Sequence, residues 1–137
     1  MLADVEAACS EVAPTVRATA GGGQGAAVAD VLRMLDGVVA VVNADLPCAT
    51  AADVDALLAA APALVAAADG TTNALALRDA REFRPLYGPG SAARFGLPRI
   101  ALPNLADDVD TFDDLERLAD RLGPHTRAVL ESLRVPT

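Results

Sequence analysis

The stretch VVAVVNAD at residues 38–45 constrains the fold of this chain more than any other. Four valines and an alanine follow one another without a polar side chain, a pattern typical of a strand that is buried on both faces of a parallel sheet. The dipeptide Leu46-Pro47 ends the run. We therefore predict that residues 38–45 form the central strand of a sheet.

Helical and strand patterns alternate along the rest of the chain. The spacing of apolar residues predicts helices over 4–12 and 26–37, and residues 14–20 between them read as a strand. Thr50 and Asp53 form a capping-box-like start for the next helix. The later predicted elements are strands at 64–69 and 73–79, a short helix at 91–95, an extended segment at 98–104 and helices at 112–122 and 125–133. This alternation predicts an α/β fold, a three-layer sandwich with a mostly parallel sheet.

Size and composition indicate a single domain, residues 1–137. The chain has 137 residues, of which 53% are hydrophobic, enough for one core. No apolar run approaches the ~20 residues that a membrane span needs, so we expect no membrane partner. Asp4 and Glu6 precede any basic residue, unlike the basic start of a secretory signal. A cytoplasmic location is therefore expected.

The charges and cysteines exclude several classes of function. The net charge is −8, and the 11 positive charges are scattered arginines with no lysine among them. A nucleic-acid-binding protein would carry a basic patch, so no nucleic-acid partner is expected. Cys9 and Cys48 have no Cys or His neighbour at ligand spacing, which argues against a zinc site and against a disulfide framework.

Asp45 is the first candidate for a functional residue. It comes directly after the predicted central strand, and open α/β sheets bind their ligands at the carboxyl ends of their strands. A carboxylate at that position suits a divalent cation. Two interpretations of Asp45 stay open, a metal ligand or a residue that starts a turn or balances a helix N-terminus.

Asp108 and Asp110 form a second candidate site. They flank Val109, and in an extended segment residues two apart point to the same side. Such a pair suits Mg²⁺, which takes a few carboxylates together with substrate phosphates and keeps several waters. The alternative is helix capping after Thr111, where each acid would stabilise the helix dipole by ~0.3–1 kcal/mol. Taken alone, the pattern favours capping.

Two glycine-rich stretches could bind phosphate. In GPGS at 88–91, Gly88 allows close backbone approach and Ser91 opens a helix whose free N–H groups suit an anion. Thr72 could add a hydroxyl to the same anion. Gly23 and Gly25 in GGGQG form another possible cradle for a phosphate or a base. The alternatives are a plain turn with a serine cap and a bare loop.

Five motifs follow one another along the chain: GGGQGAAVADVL, VVAVVNADLP, DGTTNALAL, FRPLYGPGSAARF and DDVDTFDDLERL. In this order they resemble the 2-phospho-L-lactate/phosphoenolpyruvate guanylyltransferase family of coenzyme F-420 biosynthesis, relatives of the molybdenum-cofactor nucleotidyltransferases. The resemblance spans nearly all of the chain, and its GPGS and DVDT segments are fairly specific. It implies a nucleotide-diphospho-sugar transferase-like, Rossmann-like fold.

The resemblance also implies a reaction and a substrate site. The reaction is transfer of GMP from GTP to the phosphate of phosphoenolpyruvate or 2-phospho-L-lactate, with release of pyrophosphate. By position, Thr72, Gly88 and Ser91 match the residues that hold the substrate phosphate in this family.

A metal and nucleotide site is implied in the same way. Asp108 and Asp110 match the family's Mg²⁺-binding aspartates, and Asp45 matches the acid that lies near the metal and the triphosphate. These three acids are thus the expected catalytic residues. Gly23 and Gly25 fall in the loop on the guanine side and, with Asp45, are the expected nucleotide-binding residues.

The family opens with a strand, a loop and a helix that this sequence does not show. A sheet without that unit has an open edge and an uncovered apolar face, which predicts self-association, for instance as a homodimer. Two alternative functions stay open. One is a cytidylyltransferase for the molybdenum cofactor, and the other is a non-catalytic fragment that binds a phosphorylated acid or a partner subunit.

Overall fold

A computed structural model of the chain describes residues 1–19 and 21–133. Its α-helices are α1 Leu2–Val12, α2 Gln24–Leu32, α3 Ala51–Ala59, α4 Ser91–Phe95, α5 Pro103–Ala106, α6 Phe112–Arg117 and α7 Pro124–Leu133. Its strands are β1 Val39–Val42, β2 Ala63–Ala66 and β3 Thr72–Leu77, and 3-10 turns cover Ala80–Glu82 and Ala119–Arg121. This mixture confirms the predicted α/β class. Among the described residues, no helix is both long enough and apolar enough to cross a membrane.

The sheet has β3 at its centre, between β1 and β2. All six residues of β3 are buried, whereas in β1 only Val39 is buried and the other three are half-buried. The prediction that residues 38–45 form the central strand is therefore wrong. The alanines of β3 pack in one apolar cluster and its leucines in another, on the opposite face. This strand is therefore packed from both sides, and the valine run lies at the edge.

The strand directions also differ from the predicted, mostly parallel sheet. Both ladders are antiparallel. One reason is the short turn between β2 and β3, in which Ala67 N–H donates to the Thr71 carbonyl (2.9 Å), because so short a connection permits only an antiparallel pair. β1 and β2 both oppose β3, so they share one direction, and Leu64 adds a parallel bridge to Arg99. β3 is thus the one reversed strand in this part of the sheet.

The segment before the glycine-rich loop departs from its prediction. Residues 14–19 form no strand, and residue 20 lies outside the described residues, so the strand predicted over 14–20 is not found. Arg17 instead donates to Glu6 on α1 (2.8 Å between Nε and Oε2), which ties the segment to that helix. The helix predicted over 26–37 begins earlier and ends earlier, as α2.

Local signals elsewhere are confirmed. The Thr50 hydroxyl accepts from Asp53 N–H (3.3 Å), and the Asp53 carboxylate accepts from Thr50 N–H (3.0 Å), which completes the capping box of α3. The hairpin strands and α4 lie where the pattern placed them, with small shifts of the strand bounds. The helix predicted over 112–122 becomes α6 followed by a 3-10 turn.

Side chains of β2 and β3 alternate between two cores, as the period of a strand requires. On one face the sheet packs against α1 and α3, through a cluster of Val5, Ala8, Val54, Leu57, Ala63, Val65, Ala74 and Ala76. On the other face it packs against α2 and α4, through a cluster of Val28, Leu32, Leu64, Leu75, Leu77 and Ala92. Helices therefore cover both faces of β2 and β3, and a polar site has to lie at the strand ends or in the loops.

A groove of about 660 Å³ runs along the outer edge of β1. Its lining comes from β1 itself, from α1 and α2, and from residues 13–19. Within the described residues β1 pairs with no second strand, and Val38 just before it is 55% exposed. Among the described residues β1 is therefore an edge strand, and the predicted self-association remains a prediction.

Candidate metal and phosphate site

Two loops meet beyond the end of β1. Asp45 follows β1 by three residues, and its backbone carbonyl accepts a hydrogen bond from Val109 N–H (3.1 Å). This hydrogen bond links the loop after β1 to residues 108–110, which we call the DVD segment. The carboxylates on either side of Val109 are therefore held beside Asp45.

The three predicted acids form one cluster. One carboxylate oxygen from each of Asp45, Asp108 and Asp110 lies within 4.8 Å of the other two. Asp45 and Asp108 are half-buried, and Asp110 is exposed. None of the ion pairs found in the described part of the chain involves these three carboxylates. Three negative charges this close repel one another unless a cation lies among them.

Asp45 carries the strongest sign that a cation belongs in the cluster. Its Oδ1 is buried and has no hydrogen-bond partner, a rare and costly state for a buried polar atom. Burial raises the pKa of Asp45, and the negative charges of Asp108 and then Asp110 raise it further. A hard divalent cation bound by three carboxylates would satisfy this oxygen and remove the repulsion. The donor set therefore fits Mg²⁺.

The alternative interpretation of Asp108 and Asp110 is that they cap the start of α6. The capping box of α6 consists of Thr111 and Asp114. The Asp114 carboxylate accepts from the backbone N–H groups of Asp110 and Thr111 (3.0 and 3.1 Å). The side chains of Asp108 and Asp110 are not part of that cap. The helix start is served by other residues, which leaves these two carboxylates to the cluster.

The predicted phosphate-binding hydroxyls lie together in the interior. Thr72 Oγ1 and Ser91 Oγ are 2.9 Å apart, and the two residues are 3% and 0% exposed. The Gly88 carbonyl accepts from Ser91 N–H (3.0 Å), which closes the GPGS turn. Gly88 has a φ of 118°, in the region that favours glycine. The structure thus brings all three predicted substrate residues into one local arrangement.

Arg94 braces the same turn. Its guanidinium donates to the carbonyl of Leu86 (3.0 Å) and to the carbonyl of Pro89. Both bonds go to backbone atoms of the loop that carries Gly88. Arg94 therefore stabilises the conformation of this loop.

The glycine-rich loop before α2 approaches the site through a chain of amides. Gln24 Nε2 donates to Asn43 Oδ1 (2.7 Å), and Asn43 Nδ2 donates to the carbonyl of Thr72 (3.0 Å). Gly23 precedes α2 as its N-cap, with a φ of 94°. Gly25 lies inside α2, against Pro85, where it has no room for a side chain. Gly25 thus has a packing role beside the predicted nucleotide-binding role.

No family model matches this chain. The chain is 44% identical over 93 residues to phosphoenolpyruvate guanylyltransferase of Sphaerobacter thermophilus, with 58% of this chain and 45% of the relative covered. It is 40% identical over 123 residues to the enzyme of that name from Thermomonospora curvata, with coverages of 82% and 53%. The match to phosphoenolpyruvate guanylyltransferase 2 of Rhodococcus jostii is 38% over 117 residues, with coverages of 74% and 55%.

The chain is a homologue of the phosphoenolpyruvate guanylyltransferases. The resemblance identified from the motifs is thereby confirmed. The chain spans about half the length of the curated relatives it matches.

Sequence reasoning missed three amides that organise this candidate site. Asn73 donates to Asp108, and Asn43 and Gln24 connect the glycine-rich loop to Thr72. One signal was available, because Asn73 directly precedes the apolar run ALAL in a strand whose every residue is buried. A buried amide needs several hydrogen-bond partners, so a polar residue in such a strand indicates a network.

Proposed function

We propose that this chain contributes to guanylyl transfer, in which GMP passes from GTP to the phosphate of phosphoenolpyruvate or 2-phospho-L-lactate in coenzyme F-420 biosynthesis. The single observation that carries the proposal is the buried, unpartnered Oδ1 of Asp45 in a cluster with Asp108 and Asp110. The names of the relatives supply phosphoenolpyruvate and the guanylyl group, and the motif resemblance supplies 2-phospho-L-lactate and the role in coenzyme F-420 biosynthesis.

The proposed reaction joins two anions. An oxygen of the acid's phosphate attacks the α-phosphorus of GTP, a new P–O bond forms, and the bond to the β-phosphate oxygen breaks. The electron pair of that bond leaves with pyrophosphate. Since both reactants are negatively charged, positioning and charge neutralisation supply most of the catalysis.

Each part of the site has a role in this reaction. Asp45, Asp108 and Asp110 would hold Mg²⁺, which when bound supplies positive charge next to the reacting phosphates. The hydroxyls of Thr72 and Ser91 and the backbone of Gly88 would orient the phosphate of the acid, since hydroxyl and N–H donors suit its oxygens.

The nucleotide would lie towards the glycine-rich loop. Gly23 and Gly25 allow close approach of a base or a phosphate, and the Gln24 to Asn43 bond ties this loop to the backbone at Thr72. In the sequence, Asp45 lies between the glycine-rich loop and Thr72. It would contact the nucleotide through the bound metal. The cytoplasmic location of this protein remains a prediction.

We also infer that the sheet is part of a larger nucleotidyltransferase fold. β1, β2 and residues 98–100 run in one direction, with β3 reversed. Further strands added along the open edge of β1 in the same direction would give the mostly parallel, three-layer sandwich of the resemblance. A homodimer that covers this edge is the other way to pair it, and sedimentation at rising concentration separates monomer from dimer.

The test of the function is pyrophosphate release by this chain from GTP with Mg²⁺ and either acid. We expect release to require GTP, the acid and the metal together. Asp110→Asn should reduce the rate at least tenfold, and Asp113→Asn, which changes an exposed acid outside the cluster, should not. Release with CTP in place of GTP would favour the cytidylyltransferase alternative.

Binding of phosphoenolpyruvate without release of pyrophosphate would have a different interpretation. Because the chain spans about half of its relatives, binding of phosphoenolpyruvate is measured separately by calorimetry. Mg²⁺-dependent binding without pyrophosphate release would support the non-catalytic fragment. Absence of both would contradict the proposed function.

A further inference from the structure

Asn73 occupies a position that the proposed reaction does not yet explain. It is the second residue of β3 and is 3% exposed. Its backbone carbonyl accepts from Asn43 N–H (3.0 Å), so the residue is fixed at the end of the sheet. Its side chain leaves the strand towards the segment that contains the DVD acids.

The Asn73 amide bridges two acceptors on that segment. Nδ2 donates to the Ala106 carbonyl (3.0 Å) and to Asp108 Oδ1 (3.2 Å). An NH₂ group has two hydrogens, so both are used. Since both neighbours are acceptors, a flipped amide would place oxygen against oxygen, and the orientation follows from the network.

These two hydrogen bonds fix the orientation of the Asp108 carboxylate. A carboxylate at the end of a loop can rotate about two bonds, and repulsion from Asp45 and Asp110 would turn it away from the cluster. The bond to Oδ1 opposes that rotation, and the bond to Ala106 fixes the backbone from which Asp108 projects. Loss of a group that orients a metal ligand in this way typically costs about 10- to 100-fold in metal affinity.

We propose that Asn73 is a positioning residue that holds Asp108 in the geometry required to bind the metal. The inference rests on the proposed function only in that Asp108 must be a metal ligand. Asn73 does not touch the metal in this account, and it acts through the carboxylate that it orients.

The chain offers a matched control in Asn104. This amide also donates to a carboxylate, Asp53 Oδ2 (3.0 Å), and its Oδ1 accepts from Arg121 (2.9 Å). Asn104 lies in α5, near Ala106, but its carboxylate is outside the acidic cluster. Loss of either amide should lower folding stability, whereas only loss of Asn73 should change metal binding.

The test is titration of the purified 137-residue protein with Mn²⁺, a Mg²⁺ substitute whose free ion is counted by its electron paramagnetic resonance signal. We expect Asn73→Ala to weaken Mn²⁺ binding about 10- to 100-fold and Asn104→Ala to leave it within about twofold. Unchanged Mn²⁺ affinity in Asn73→Ala would overturn the proposal, because a merely structural role predicts that result.

A double-mutant cycle shows whether Asn73 acts through Asp108. In an Asp108→Asn background, Asn73→Ala should weaken Mn²⁺ binding no further, since the group to be positioned is gone. An additive loss would overturn the proposal. If Asn73→Ala does not fold, Asn73→Ser replaces it, because one hydroxyl hydrogen cannot serve both acceptors.

The same titration separates the two hypotheses. If Asp108→Asn weakens Mn²⁺ binding and Asn73→Ala does not, the metal site stands and the positioning role fails. If neither the wild-type protein nor any variant binds Mn²⁺, the metal site itself fails and the positioning role fails with it.

Discussion

The carboxylate of Asp4 accepts two hydrogen bonds from Thr126, one from its backbone N–H at 2.7 Å and one from its hydroxyl at 2.5 Å. Asp4 also accepts from the backbone N–H of His125 (3.0 Å) and is 4% exposed. The carboxylate caps the first turn of α7 from α1, where N–H groups have no partners within their own helix. It therefore joins the two end helices of the described chain.

The Asp4 cap predicts a pH-dependent loss of stability. Burial would raise the pKa of Asp4, but the hydrogen bonds from Thr126 and His125 outweigh it, and the pKa lies below its ordinary value of 3.8. A lowered folded-state pKa means that the stabilisation is present above the unfolded-state pKa and is lost as pH falls through the folded-state pKa. Asp4→Asn should lower the free energy of unfolding by about 1–3 kcal/mol at neutral pH.

Urea unfolding of both proteins at neutral and acid pH measures this difference. The gap between wild type and Asp4→Asn should shrink as the solution becomes acid. Asp55→Asn, on the exposed side of α3, is the control and should change stability by less than about 0.5 kcal/mol. A gap of the same size at every pH would contradict the charge-based account.

Asp45 should have opposite effects on stability and on metal binding. Its charge is half-buried beside two other acids, so Asp45→Asn should stabilise the metal-free protein, on the order of 1 kcal/mol. The same change should remove most of the rise in melting temperature that added Mg²⁺ causes. Thermal unfolding with and without Mg²⁺ measures both. A destabilised metal-free variant would show that Asp45 serves the fold.

Ser91→Ala should weaken phosphate binding. The Ser91 hydroxyl contacts Thr72 at 2.9 Å in a buried site, and its loss removes one donor and leaves a second hydroxyl without its partner. We expect the affinity for phosphoenolpyruvate to fall about tenfold, which corresponds to ~1.4 kcal/mol, by calorimetry. Ser132→Ala, whose hydroxyl donates to the Val129 carbonyl in its own helix, should not change it. Equal affinities would reduce the GPGS segment to a turn.

At Gly25 we expect the usual preference of a helix for alanine over glycine to be reversed. Alanine normally stabilises a helix by about 1 kcal/mol relative to glycine, but a Cβ on Gly25 would lie 2.8 Å from Pro85 Cβ. Gly25→Ala should therefore destabilise the protein by about 1–3 kcal/mol. A Cβ on Gly21 would meet no atom of the described residues within 4 Å, so Gly21→Ala should be near neutral in the same urea unfolding measurement. A more stable Gly25→Ala would show that α2 is not packed on Pro85.

The sequence predicts what depends on near neighbours. The capping box of Thr50 and Asp53 spans four residues and is confirmed. The alternation in the DVD segment predicts that Asp108 and Asp110 lie on one side, and their carboxylate oxygens do lie within 4.8 Å of each other, whereas their association with Asp45 was expected only from the motif resemblance. The central position of β3 could not be predicted in this way, because it depends on which helices cover each face. The bond from Asn73 to Asp108 also could not be predicted from near neighbours, since the two residues are 35 positions apart.

The measurement that tests the central claim most directly is calorimetric binding of phosphoenolpyruvate with and without Mg²⁺, by the wild-type protein and by Asp108→Asn. The account predicts that the wild type binds the acid only when Mg²⁺ is present. Asp108→Asn should lose that binding and keep its unfolding free energy within about 1 kcal/mol. Equal affinity with and without Mg²⁺, or unchanged Mg²⁺-dependent binding by Asp108→Asn, would contradict the assignment of the acidic cluster as the metal and phosphate site.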